Sequence, residues 1–334
     1  MRRVSDWEVV NSGGWLETCS TKTKLGAMAR FTERRSAVAD VAEMKINRLA
    51  PWFGADTAVC GRVAELLRGQ THVTIPFGGG MAAAAVIQAR SGVINDLHRH
   101  VINLARVVRD DGRRTDLIAR LRGMLFHPDE LFSAQRYCKQ IEEAQELRYT
   151  LSSGGPSLFG APPPVDAAIV DEVQWAAAYF VCSWMGRGGH AGKASEFTQG
   201  LAVRFTATGG DSAVRFQSAV DSLEAWGAAL RRWQFMCEDA LELLTRVRDE
   251  PDYGVYVDAP WPDAGNEYRH RCNERQQRFL AQILGRFTCA NVIVRFGLHP
   301  LIRELYPESR WRWELMTSRD QVNGAVCEAL LVRR

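Results

Sequence analysis

The chemistry-bearing stretch that stands out is Asp258-Ala259-Pro260-Trp261, which closes the hydrophobic run Val255-Tyr256-Val257. A planar base turned out of a duplex needs hydrogen-bond acceptors for its exocyclic amine and a flat face to stack on. Asp258 supplies a side-chain acceptor, the Ala259 carbonyl a second, Pro260 a fixed backbone and Trp261 the face. Such acceptors hold the amine lone pair toward an incoming methyl group. No covalent nucleophile is needed, because proximity and orientation supply much of the rate. The plainer reading is a strand that ends at a proline turn.

Three more groups fall at comparable places. Pro76-Phe77-Gly78-Gly79-Gly80 follows the strand-like HVTI and precedes a helix. Glycines there let backbone approach a ligand at a helix N-terminus. The pattern suits NAD, FAD, phosphate or S-adenosylmethionine (SAM), although it lacks the G-x-G-x-x-G spacing of the dinucleotide fingerprint. Asn95-Asp96 closes the next strand, GVIND, where an acid is placed to bind a ribose or to cap the following helix. Asp239, after WQFMC, reads equally as an acceptor for the amino group of a cofactor adenine and as a helix cap. His98 and His100 stand two apart on a helix and do not share a face, so they form no metal pair.

These residues need a scaffold, and the alternation of elements describes one. HVTI, GVIND, WQFMC, GVYVD and NVIVRFG read as strands separated by helical text, the signature of a parallel doubly wound sheet. Residues 45–110 and 233–334 therefore form one α/β domain. Residues 1–44 read as an extension, and 111–232 as a helical insertion with a Gly/Pro/Ser loop at 151–166 and the helix DEVQWAAAYFVCSWM. At 334 residues, with 46% hydrophobic and 24% charged, the chain can bury a large core. A net charge of +3 neither demands nor excludes nucleic acid. Eight cysteines lie far apart without a C-x-x-C, which argues against a zinc site and a disulfide scaffold. With no apolar run of about 18 residues and no signal-like start, a cytoplasmic protein is expected, a monomer or a weak dimer.

Taken in order, these stretches resemble the Dam-type (alpha-class) DNA adenine methyltransferases, and more closely a phage and prophage branch of them. LAPWFGADTAVCGRVAELL is similar to the family's N-terminal cofactor segment, PFGGGMAAAAVIQ to its SAM loop and NDLHRHVINLARVVRD to its ribose segment. The stretch from FVCSWM to SLEAW resembles the target-recognition insertion, and MCEDALELL and VYVDAPW resemble the adenine-pocket and catalytic strands. The resemblance implies a Rossmann-like SAM-dependent methyltransferase sheet, methyl transfer to N6 of adenine, and double-stranded DNA as partner. It assigns Asp258, Ala259, Pro260 and Trp261 to catalysis. Trp52, Phe53, Gly54, Pro76, Phe77, Gly78, Gly79, Gly80, Asn95, Asp96 and Asp239 would bind SAM. Arg187, Lys193, Arg204, Arg215 and Tyr268 would meet DNA.

The chain departs from the family pattern at four places. Gly54-Ala55-Asp56 stands where the family has G-G-K or G-S-K, and Ile75 where an acid usually precedes P-F. Ala259 and Trp261 replace the first Pro and the Tyr of D-P-P-Y. Ala259 keeps its carbonyl, and Trp stacks at least as well as Tyr. The first two leave open a catalytically degenerate relative that serves as a DNA- or protein-binding module. A nucleotide-dependent oxidoreductase rests on the glycine turn alone.

Overall fold

A computed structural model describes residues 48–52, 54, 59–153, 170–187, 190–203, 211–262, 267–319 and 325–333. The expected extension 1–44, most of the loop at 151–166, and Phe53, Asp56 and Arg204 lie outside the described residues.

A seven-stranded sheet forms the centre, ordered β3-β2-β1-β4-β5-β7-β6. Its strands are β1 (His72–Ile75), β2 (Ser91–Asn95), β3 (Trp233–Met236), β4 (Tyr253–Val257), β5 (Asn291–Gly297), β6 (Trp311–Arg319) and β7 (Ala325–Arg333). The first five run parallel, and β7 enters antiparallel between β5 and β6. The dinucleotide-binding order 3-2-1-4-5-6 is thus interrupted by the last strand. The chain fold is α/β and Rossmann-like. Strand order reverses between β1 and β4, and the crevice at the carboxyl ends of such strands is where open α/β sheets bind ligands. The glycine turn follows β1 and Asp258 follows β4, so both lie at this switch point.

The helices are α1 (Cys60–Leu66), α2 (Ala82–Val86), α3 (Arg99–Arg109), α4 (Asp111–Arg122), α5 (Pro128–Ser153), α6 (Glu172–Met185), α7 (Ser212–Asp221), α8 (Leu223–Leu230), α9 (Ala240–Arg246), α10 (Glu274–Leu284) and α11 (Pro300–Leu305). Side chains alternate along each strand, and the alternation sorts the core into two. Tyr256, Ile293 and Leu330 join a cluster with α2 to α8, whereas Val255, Val257, Val292, Val294 and Phe296 join α9, α10 and α11. The near-continuous apolar runs of β1, β4 and β5 follow from being covered on both faces.

The helices of 111–232 share the first core with the sheet. Helix α6 is buried at every position from Trp175 to Met185, consistent with its apolar sequence, and Asp171 caps its start by accepting from the Val173 and Gln174 amides. On the other face, Asn273 and Gln276 close α10 with a capping box. At the β2–β3 pairing, Gly92 admits the Trp233 ring: a Cβ there would lie 2.3 Å from Trp233 Cζ3 and 2.6 Å from the Val73 carbonyl oxygen. Backbone on one side and a fully buried indole on the other leave no room to relax. Gly92→Ala should therefore lower stability by about 1–3 kcal/mol, read as a smaller denaturation midpoint with unchanged slope.

Candidate active site

A partly open cleft of about 100 Å³ lies at the switch point. Trp52, Gly54, Pro76, Phe77, Gly78, Gly79, Gly80, Asn95, Asp96, Asp239, Asp258, Pro260 and Tyr268 all line it. Residues separated by over two hundred positions in sequence are thus gathered into one wall.

Two glycines of the turn, Gly79 and Gly80, make room for Trp52. A Cβ on Gly79 (φ +47°) would lie 3.2 Å from the Trp52 ring, and one on Gly80 would lie 2.7 Å from the Ala50 carbonyl oxygen. Gly192, from the helical insertion, meets the other end of the same indole, with 2.7 Å to Cζ2. The Gly78 amide donates to the Asn95 carbonyl at 2.8 Å, Gly79 to Asp96 Oδ2 at 2.7 Å, and Met81 to the Gly78 carbonyl at 2.9 Å. Three amides that could cradle a phosphate at the start of α2 are therefore committed within the protein. Met81 itself has φ +65°, a left-handed position unusual for a side-chain-bearing residue, which closes the turn.

The acids at the ends of β2 and β3 have structural work beside any binding role. Asn95, fully buried, donates to the Pro76 and Glu238 carbonyls at 3.0 and 2.9 Å and accepts from the Glu238 amide at 3.0 Å. It laces the ends of β1, β2 and β3 together. Asp96 accepts from Gly79 N through one oxygen and from His98 N, at 2.8 Å, through the other. Helix α3 begins only at Arg99 with His98 as its N-cap, so neither Asn95 nor Asp96 caps it. Asp239 does cap α9, accepting from the Leu241 and Glu242 amides at 2.7 and 3.3 Å.

Asp258 is held by a residue that the motif did not announce. Val257 pairs with Val294, which sets Asp258 beside Arg295. Arg295 is 5% exposed; its Nη1 donates to Asp258 Oδ2 at 2.8 Å and to the Gly54 carbonyl at 2.9 Å, and its Nε to Glu328 Oε2 at 2.6 Å. Glu328 is fully buried on β7. A buried ion pair adds little over well-packed apolar residues, but removing one partner costs about 3–5 kcal/mol. The guanidinium also lies over the Trp261 ring, 5.1 Å from its centroid. Trp261 packs on Gly297, where a Cβ would come within 2.6 Å of its Cε3. The indole thus sits on the end of β5, outside the lining of the cleft. Ala259 is buried in the second core, and the Pro260 carbonyl accepts from Gln277 of α10 at 2.6 Å.

The far wall comes from the insertion and the segment after the motif. Lys193 pairs through its backbone with Tyr268 and through its side chain with Glu267, and the Arg269 amide donates to the Gly192 carbonyl at 2.8 Å. Tyr268 brings its hydroxyl to 2.6 Å from where a Gly54 Cβ would stand, and Gly54 is itself left-handed at φ +66°. Arg187 is exposed on the same insertion segment, and Arg215, exposed on α7, lies over the Trp184 ring at 5.6 Å. None of Arg187, Lys193 and Arg215 lines the cleft.

Two buried histidines stand beside this wall, and their pKa values shift in opposite directions. His98 lines the cleft, meets Trp52 edge-on at 5.1 Å, and pairs with Glu196 at 2.7 Å. Burial works to lower its pKa, but the charge and hydrogen bond of Glu196, with a smaller push from Asp96, outweigh it and hold the ring above its ordinary value. His98 Nδ1 is buried without a hydrogen-bond partner among the described residues. In His100 burial wins and the pKa falls. The Trp175 indole N–H donates to its Nδ1 at 2.6 Å, so the proton sits on Nε2 and points to Glu142 at 3.1 Å.

No family model and no curated protein matches the chain. Sequence reasoning missed Arg295, Glu328 and Gln277, and only the odd polar residue inside the apolar run NVIVRFG could have flagged the first.

Glu142 fixes the far wall, joining His100 on α3 and Arg269 beside Tyr268. Burial raises its pKa, but the bonds from His100 and Arg269 prevail and bring it down to about 2. A depressed carboxyl contributes stability above its unfolded value of about 4.3, and loses it as pH falls toward the folded one. The difference in melting temperature between the wild type and Glu142→Gln should be full at neutral pH and close as pH drops from about 4.3 toward 2. A gap that persists at the acid end would show that Glu142 does not act through its charge.

Proposed function

We propose that this chain is a SAM-dependent DNA methyltransferase that methylates the exocyclic N6 amine of adenine in double-stranded DNA. The observation that carries the reading is the convergence of Asp96, Asp239 and Asp258, from the ends of β2, β3 and β4, on the cleft beside the glycine turn. An acid at each of three parallel strand ends suits a ribose, an adenine and a target amine in turn. The commitment of the Gly78, Gly79 and Met81 amides supports a ligand without phosphates, which favours SAM over the dinucleotides that the turn also suggested.

The lining fits this cofactor. Asp96 would take the ribose hydroxyls, Asp239 the adenine amine, and Trp52, Phe77 and Leu241 the apolar surface. When bound, SAM supplies a methyl group on a cationic sulfur. On the base side, Asp258 accepts a hydrogen bond from the target amine and turns its lone pair toward that methyl. The amine so oriented would accept the methyl and release one proton to solvent. Gln277 holds the Pro260 carbonyl, and so the bend of the motif. The exposed part of the half-buried Trp261 ring is the stacking face. The insertion, with Arg187 and Arg215 exposed, meets the duplex, and sequence would be read by base-edge contacts.

A second reading, a degenerate relative that binds DNA without turnover, draws on Ile75. That position, acidic in the family, is buried in the sheet core here.

Two measurements decide between them. Titration calorimetry with SAM should show binding, and labelled methyl should appear on adenine of mixed-sequence DNA. Asp258→Ala should cut transfer about 10²–10³-fold, the usual cost of one aligned electrostatic contact, with SAM affinity kept. Gly297→Ala, which displaces Trp261, should reduce transfer in the same pattern. Absence of binding at millimolar SAM sinks the reading, and DNA retention without transfer favours the second.

A further inference from the structure

We propose that Arg295 is the positioning residue that sets base clamp and cofactor segment in register, an inference that rests on the methyltransferase reading. Arg295 occupies the face of β5 that it shares with Ile293, over an apolar core. An aliphatic side chain would suit that face, and a guanidinium is tolerated there only when fully paired. Its pairing is specific. Glu328, on the neighbouring strand and without solvent contact, anchors Nε, while Nη1 bonds both Asp258 and the carbonyl of Gly54.

These contacts reach three functional pieces at once. The bond to Oδ2 fixes the plane of the Asp258 carboxylate. The stacked guanidinium and Gly297 fix the Trp261 ring. The bond to Gly54 fixes the segment that carries Trp52 into the cleft wall. Methyl donor and acceptor sites are thus hung on one planar group. Glu328 and Asp258 each pair with this one guanidinium, through Nε and Nη1 respectively. Lysine could replace the charge but not the fork: an ammonium on a flexible stem cannot hold three acceptors in one plane.

Arg295→Lys separates positioning from folding. A displacement of about 1 Å at a reacting group can cost ~10²-fold, so kcat should fall by about that factor. Kd for SAM and KM for DNA should stay within about threefold, the pattern of an interaction expressed in the transition state. Base capture gives a readout independent of turnover. With 2-aminopurine in place of the methylated adenine, the wild type should change its emission on binding, and Arg295→Lys should bind the same duplex with little change. Glu328→Gln, which keeps shape and weakens the anchor, should show a smaller loss of kcat in the same direction. An active wild type beside an Arg295→Lys variant with near-normal kcat and base capture overturns the inference and leaves the methyltransferase reading standing. A wild type that transfers no methyl removes the reading and this inference with it. If Arg295→Lys fails to fold, a folded Glu328→Gln with unchanged kcat overturns the proposal equally.

Discussion

One buried guanidinium holds the architecture of this site together. Arg295 stands between two carboxylates in a layer that is otherwise apolar, and each neighbour is supplied by a different strand. Its existence depends on the strand order. Only because β7 turns back antiparallel against β5 does Glu328 fall diagonally across from Arg295, with Leu330 directly opposite. Only because β4 is parallel to β5 in this register does Asp258 lie on its other side. Sheet topology and site geometry are therefore one constraint. A slip of one residue in either pairing would turn the charge into the opposite core.

The remaining polar side chains near the cleft serve a related purpose. Strands of parallel sheets end in loops, and loops carry backbone groups that need partners. Asn95 satisfies three of them, and Asp96 and Asp239 two each. Each such bond nets only about 1 kcal/mol, but together they fix where the ends of β1, β2 and β3 stop. The same atoms can still present lone pairs to a ligand, since a carboxylate accepts more than two bonds. Support and recognition are compatible in one residue.

Much of this was legible from sequence because the signals were local. The strands HVTI, GVIND, WQFMC, GVYVD and NVIVRFG sit where their apolar runs put them, and the helix of Trp175 to Met185 matches its text. The hairpin β6–β7 was not read as strands. Trp311-Arg312-Trp313-Glu314-Leu315 alternates, yet β6 lies at the sheet edge with Leu315 exposed, so its pattern has no clean inner face. The glycine turn has a packing role that the sequence did not display. Gly79 and Gly80 meet Trp52, 27 residues before Gly79, and the same indole meets Gly192 far along the chain. Glu328 was invisible, and Arg295 was hinted at only as a charge inside NVIVRFG, because cross-strand pairing is set by register, which a single sequence does not display. The helical insertion looked separable by composition, but it shares its core with the sheet.

That Trp52 wedges between Gly79 and Gly192 has a consequence for how the cleft comes into being. Its wall is closed by one indole from the first described segment, a turn from the sheet and a loop from the insertion, with Tyr268 arriving last in the chain. No fragment shorter than residues 52–268 contains all of these. The pocket is then a product of long-range packing, and its wall is incomplete in any chain that stops before Tyr268. Any molecule that occupies it would bind the native state alone, and its affinity would appear in full as resistance of the whole chain to unfolding.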